Sequence, residues 1–174
     1  FGIANQLAGE HADPILLYAL ETSIQITLTE LNENLREIYT EAYTDPQVSE
    51  YIHRKTAVEL YRIFGSYLPQ CREADFFELE IGTAGIMRAY MTKQCDCYFT
   101  LKRKLKRFLS MSLGAYNVPK EKQEEVISQV LQMDITATAN AVMQRLFTAL
   151  EMKYDFVLAE HEQTECGILM PIAD

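Results

Sequence analysis

A chain of 174 residues with 48% apolar and 24% charged residues has the make-up of one ordinary globular domain, long enough to bury a sizeable core. A net charge of -9 argues against a polyanion-binding surface, because affinity for nucleic acid comes largely from a clustered basic face that neutralises phosphates. No run of about eighteen apolar residues and no basic-then-apolar leader is present, so neither a membrane span nor a signal peptide is expected and the expected compartment is the cytoplasm.

Five prolines, seven glycines and no alternating apolar-polar runs between hairpin turns predict an all-α fold, a bundle of about six helices. Asp13-Pro14 opens the first: an Asp side chain accepts from free amides, and Pro is preorganised for the first helical position. The stripe Leu17, Leu20, Ile24, Leu28, Leu31, Leu35, Ile38, Ala42 predicts one long helix from about residue 13 to about residue 43, buried on one face throughout. Thr44-Asp45-Pro46 repeats the start signal, and a second helix runs through Val48, Tyr51, Ile52, Val58, Tyr61 and Phe64 until Pro69 stops it.

A third helix is predicted from about Glu73 to Met91, with Phe77, Ile81, Ala84, Met87 and Met91 on its apolar side. Gly82 and Gly85 inside it each cost about 1 kcal/mol relative to Ala, which suggests close packing or a kink beside a cavity. In the fourth, Tyr98, Leu101, Leu105, Phe108, Leu109 and Ser112 form the stripe, and Lys102, Arg103, Lys104, Lys106 and Arg107 read as its solvated face. Pro119 opens a short helix over residues 120–133 with Glu121, Glu124 and Glu125 near its positive end. A last helix from about Asp134 to Phe156 carries Ile135, Ala139, Val142, Leu146, Leu150 and Tyr154, widened by Ala141, Met143, Phe147 and Met152, an apolar surface broad enough to need cover on more than one side. Residues 159–174 read as a tail.

Signatures of catalysis are missing: no phosphate-binding glycine loop, no Gly-x-Ser-x-Gly, no His-Glu-x-x-His. Glu78 and Glu80 lie two apart, on different faces of a helix, and no Glu-x-x-His repeat suggests a di-iron bundle. Cys71, Cys95, Cys97 and Cys166 with His11, His53 and His161 form no zinc pattern, so Cys95 and Cys97 read as connector residues, and neither a metal nor another cofactor is expected. Aromatics and methionines gather on the second to fourth helices, among them Tyr61, Phe64, Met87, Tyr90, Met91 and Phe99, which suits either an adaptable apolar pocket or a plain core.

In helix order, in the run Leu35-Arg36-Glu37-Ile38-Tyr39-Thr40-Glu41-Ala42-Tyr43-Thr44-Asp45-Pro46-Gln47-Val48-Ser49-Glu50-Tyr51-Ile52 and in its broad last helix, the chain resembles the C-terminal ligand-binding and dimerisation domain of a TetR-family transcriptional regulator over residues 10–156. The start at Phe1, without an initiator Met, suggests a fragment, a processed product or missing earlier residues; under the resemblance residues 1–10 would end the linking helix, residues 11–158 form the domain, and DNA would be read only by a helix-turn-helix segment absent from this sequence. The resemblance implies a non-enzymatic homodimer that responds to a small, mostly apolar effector by a population shift. It places the effector between the first four helices, with Tyr61, Phe64, Ile81, Met87, Tyr90, Met91 and Phe99 as wall residues. The dimer would be a four-helix bundle of the fourth and last helices through Leu105, Phe108, Ala139, Val142, Leu146 and Leu150. The alternatives are a structural interaction module with a solid core and a metal-binding or enzymatic bundle.

Overall fold

The computed structural model of the chain describes residues 13–145, 147 and 148, and these are helical with no strand among them. The helices are α1 (Pro14–Leu31), α2 (Glu33–Ala42), α3 (Pro46–Phe64) with a 3-10 turn at Gly65–Tyr67, α4 (Glu73–Thr92), α5 (Leu101–Ala115) and α6 (Lys120–Gln132). Helix resumes at residue 135. The chain divides into two units, Phe1–Ala139 and Asn140–Asp174; in the second, residues 140–145 are helical and Val142 is buried. Among the described residues no helix is long and apolar enough to cross a membrane.

The predicted starts hold at atomic level. Asp13 accepts from the Ile15 amide at 2.9 Å, and Asp45 accepts from Gln47 and Val48 at 2.9 and 2.8 Å, each beside a Pro whose missing N–H costs the helix nothing there. Asp13 also meets Lys122 Nζ at 2.7 Å, so the cap of α1 is tied to α6. Asn117 takes φ 54, the left-handed turn that separates α5 from α6, and its side-chain amide donates to Tyr67 O at 3.1 Å.

The expected long helix is two. Asn32 is extended (φ -140, ψ 119) and its Oδ1 caps α2 by accepting from Leu35 N at 3.0 Å, so a stripe that runs on in sequence is broken in space. The halves differ in burial: α2 contains no buried residue, whereas α1 packs against α2, α3, α4, α5 and α6 and is buried almost all round from Tyr18 to Thr29. A buried polar side chain on a central helix needs a partner within the protein, which Ser23 Oγ lacks. The hydroxyls of Thr22, Thr27 and Thr29 find one by donating to the carbonyls of Tyr18, Ser23 and Ile26 at 2.8, 2.7 and 2.8 Å.

Further expectations are corrected. The buried face of α4 is Phe76, Glu80, Thr83, Ala84, Met87 and Met91, rotated from the predicted stripe, and Ile81 is 51% exposed. A Cβ built on Gly82 or Gly85 meets nothing within 4 Å, so these glycines serve no close packing. On α5, Lys102, Arg103, Lys106 and Arg107 are exposed as predicted, but Lys104 is wholly buried, because Leu101, Lys104, Leu105, Phe108 and Ser112 share one helix face. Tyr98, expected on that stripe, precedes the helix and is 82% exposed.

Lys104 explains the connector that holds Cys95 and Cys97. Its Nζ donates to Glu30 Oε2 at 2.7 Å, and Glu30 Oε1 accepts from the Cys95 amide at 2.8 Å, so one carboxylate on α1 fastens both α5 and the loop before it. Burial pushes the Glu30 carboxyl up, but the Lys104 and Cys95 hydrogen bonds outweigh it and hold the group below its ordinary range. The Cys95 thiol is moved the other way: burial raises it, against thiolate formation.

Candidate ligand-binding site

Four aromatic rings fill the centre of the first unit. Phe64 stacks on Tyr116 at 4.3 Å between centroids, Tyr18 meets the edge of Phe64 at 5.1 Å, and Phe76 lies parallel to Tyr116 at 6.2 Å. Two of these rings carry hydroxyls that must be satisfied in an apolar setting. Tyr18 bonds to Ser112 Oγ on α5, and Tyr116 bonds to Thr83 Oγ1 on α4 at 2.7 Å. Burial raises both phenols well above the ordinary tyrosine range, so both stay neutral.

Thr83 passes the network on to a charge. Its Oγ1 lies 3.0 Å from Glu80 Oε2, so a run of two hydroxyls, Tyr116 to Thr83 to Glu80, ends by donating to a carboxylate. The side chain of Glu80 is 7% exposed, and its Oε1 faces His53 Nδ1 at 3.7 Å, beyond hydrogen-bond distance. His53 Nδ1 is itself buried without a hydrogen-bond partner. Burial pushes the Glu80 carboxyl up to about 7, with the Thr83 hydrogen bond pulling in the other direction.

Glu80 borders a cavity of about 100 Å³. Tyr18, Glu21, Thr22 and Gln25 of α1 form one side; Glu80, Thr83, Ala84 and Met87 of α4 form the opposite one; Tyr43, Thr56 of α3 and Phe108 of α5 complete the wall. Most of these residues are buried, and about half of the surface they present is polar. Tyr43 is raised to about 12 by burial, then by the Glu80 charge, then by Tyr39. Tyr39 is raised by burial and by Glu21. Although α2 buries nothing itself, it and the residue after it bring two phenols beside the two carboxylates.

A larger groove of about 380 Å³ lies between α5 and α6, but its lining, including Lys106, Lys120, Glu124, Ser128 and Gln132, is mostly exposed and holds no buried charge. Among the described residues no group of three or more His, Cys, Asp or Glu is placed to hold a metal ion.

Of the seven wall residues expected from sequence, Met87 alone borders the Glu80 cavity. Phe64 belongs to the aromatic core, Tyr61 packs on Phe76 at 5.4 Å, Tyr90 lies between Phe99 and Phe108, Met91 is wholly buried and Ile81 is exposed. Of the expected interface residues, Leu105 and Phe108 are 2% and 1% exposed within this chain, because α5 is covered by α1, α4 and α6; they have no surface left for a second copy. Ala139 and Val142 are buried, and Leu146 and Leu150 lie outside the described residues.

The residues that sequence reading missed are Tyr18, Glu80, Thr83 and Tyr116. A signal existed: Phe76, Glu80, Thr83, Met87 and Met91 recur at helical spacing, which puts Glu80 on the apolar side of α4. Comparison of the chain with family models, with curated proteins and with solved structures finds no match.

Proposed function

We propose that this chain is the ligand-responsive regulatory domain of a TetR-like transcriptional regulator, binding a small effector in the Glu80 cavity and performing no reaction on it. DNA contact in such a regulator belongs to a separate helix-turn-helix segment, and the functional unit is a homodimer. The observation that carries the reading is a buried carboxylate, raised to about 7, beside a cavity walled by several helices. Such a group lowers stability when ionised, and a ligand site is a physical reason to keep it. The walls belong to separate helices, so a ligand that prefers one arrangement of α1 against α4 shifts their balance. The effector expected from the resemblance is mostly apolar; the half-polar lining favours one with a polar group.

The rival reading, a structural interaction module, is favoured by the cavity's small size and by the filled aromatic core. Methyl NMR of methionine-labelled protein against a panel of small molecules separates the two. The sensor reading expects shifts at Met87, inside the cavity, and none at Met111 or Met133, which are 50% and 46% exposed. No response at Met87 to any member would leave the structural module.

A further inference from the structure

The lining of the cavity is one-sided in charge. Among the described residues two carboxylates, Glu21 and Glu80, border it and no lysine or arginine does. Around Glu80 the titratable groups from each packed element are Tyr18 and Glu21 of α1, Tyr43 after α2, His53 of α3 and Tyr116 after α5. Of these only His53 can become cationic, and it stands 3.7 Å from Glu80 Oε1. Elsewhere the same fold neutralises a buried charge directly, as the 2.7 Å contact of Lys104 with Glu30 shows. At Glu80 the described residues offer no lysine or arginine, only the His53 imidazole at 3.7 Å, and space is left beside the carboxylate.

We propose, resting on the reading of this cavity as an effector site, that its ligand is a small primary ammonium ion, with Glu80 as the counter-charge. The ammonium supplies three donors. Glu80, Gln25, Tyr18 and Tyr43 are among the residues with acceptor atoms that border the space. The rings of Tyr18, Tyr43 and Phe108 are among its walls, and aromatic faces attract cations and accept an alkyl group. Size limits the alkyl part: an apolar cavity of about 150 Å³ takes benzene, so about 100 Å³ takes about four non-hydrogen atoms. A ligand so small binds no more tightly than roughly tens of micromolar.

Binding of a fixed cation requires the ionised carboxylate, and it is here that titration near 7 has a consequence. A carboxyl with that value goes from about one-tenth to about nine-tenths ionised between pH 6 and pH 8. An alkylammonium stays charged across the range.

The experiment is a titration of the full chain with n-propylammonium and, separately, with 1-propanol, its neutral isostere, followed by methyl NMR at Met87 at pH 6 and pH 8. The expected result is ammonium binding that tightens about tenfold with pH, with propanol weaker and indifferent to pH. Glu80→Gln should abolish ammonium binding and spare the folded spectrum. If propanol binds as well as the ammonium and neither depends on pH, the cavity remains a ligand site but the cation assignment falls. If neither binds well above the tens-of-micromolar ceiling, both the cation and the effector site fall. Undiminished ammonium binding by Glu80→Gln overturns the role of Glu80.

Discussion

Two charged side chains, Lys104 on α5 and Glu80 on α4, lie on the buried faces of their helices, and the protein treats them differently. Lys104 is wholly buried with a carboxylate at 2.7 Å that also holds the Cys95 amide, so its charge is compensated and its loop is fixed. Glu80 is almost as buried, has a threonine hydroxyl on one oxygen, an imidazole beyond hydrogen-bond distance near the other, and a cavity beside it. The first arrangement fastens elements together. The second withholds compensation at one place, and the direction of each carboxyl records the difference: Glu30 is held below its ordinary range and Glu80 above it.

Removing the compensated charge should have the largest effect. Lys104→Met keeps the apolar volume but leaves Glu30, whose side chain is 19% exposed, without its cation, and should cost about 3–4 kcal/mol in denaturant unfolding. Adding Glu30→Gln should recover part of that loss, since the orphaned charge is then gone. If Lys104→Met costs less than about 1 kcal/mol, the pair is no more than a surface ion pair and the contrast with Glu80 collapses.

The pH dependence of stability should divide the two sites by sign. Glu30, lowered in the folded state, contributes stability that is present above its unfolded value and lost as pH falls through its folded one. Glu80 is the reverse. The folded state holds its proton between about 4.5 and about 7 while the unfolded state releases it, so this group makes the protein less stable as pH rises through that window. The span corresponds to about 3 kcal/mol. The difference in unfolding free energy between wild type and Glu80→Gln should therefore move by about that amount in favour of the variant from pH 4.5 to pH 8, measured by urea titration at each pH. A flat difference would mean that Glu80 ionises as freely as in the unfolded chain.

A smaller change separates the carboxylate from the network that orients it. Thr83→Val removes the hydroxyl between Tyr116 and Glu80 and should cost about 1–2 kcal/mol. It should also move the Glu80 titration above 7, because the hydrogen bond it deletes favours the ionised form. Carboxyl-carbon NMR reads that shift directly, and a downward shift would remove Thr83 from the description of the site.

The same residues mark where the sequence was legible. Helix starts at Asp13-Pro14 and Asp45-Pro46 were local chemistry and are found where expected. The all-helical fold class followed from spacing. The break at Asn32 was not visible because Leu31 and Leu35 keep the apolar rhythm across it; only the cap that Asn32 makes to Leu35 decides it. Lys104 and Glu80 were hidden by the assumption that charge marks the wet side of a helix. That rule fails where a partner from another element or a cavity receives the charge, and neither is a property of a local stretch. Of the wall residues named for a mostly apolar pocket among the first four predicted helices, Phe64 and Tyr61 pack against other rings, a tertiary choice that no local stretch records.

The smallest predicted effect asks whether the stability forgone at Glu80 belongs to that one carboxylate or to α4 as a whole. Gly82 and Gly85 lie on the exposed side of the helix with open space where a Cβ would stand. Gly82→Ala should therefore raise stability by about 1 kcal/mol through helix propensity, with the Glu80 titration unchanged, because the new methyl group touches nothing near the cavity. Were the variant to gain stability and also shift that titration, α4 would be adjusting as a unit, and the uncompensated carboxylate would be a property of the helix's position. An unchanged titration assigns it to Glu80 and the groups that border it, the same groups that a cationic ligand would meet.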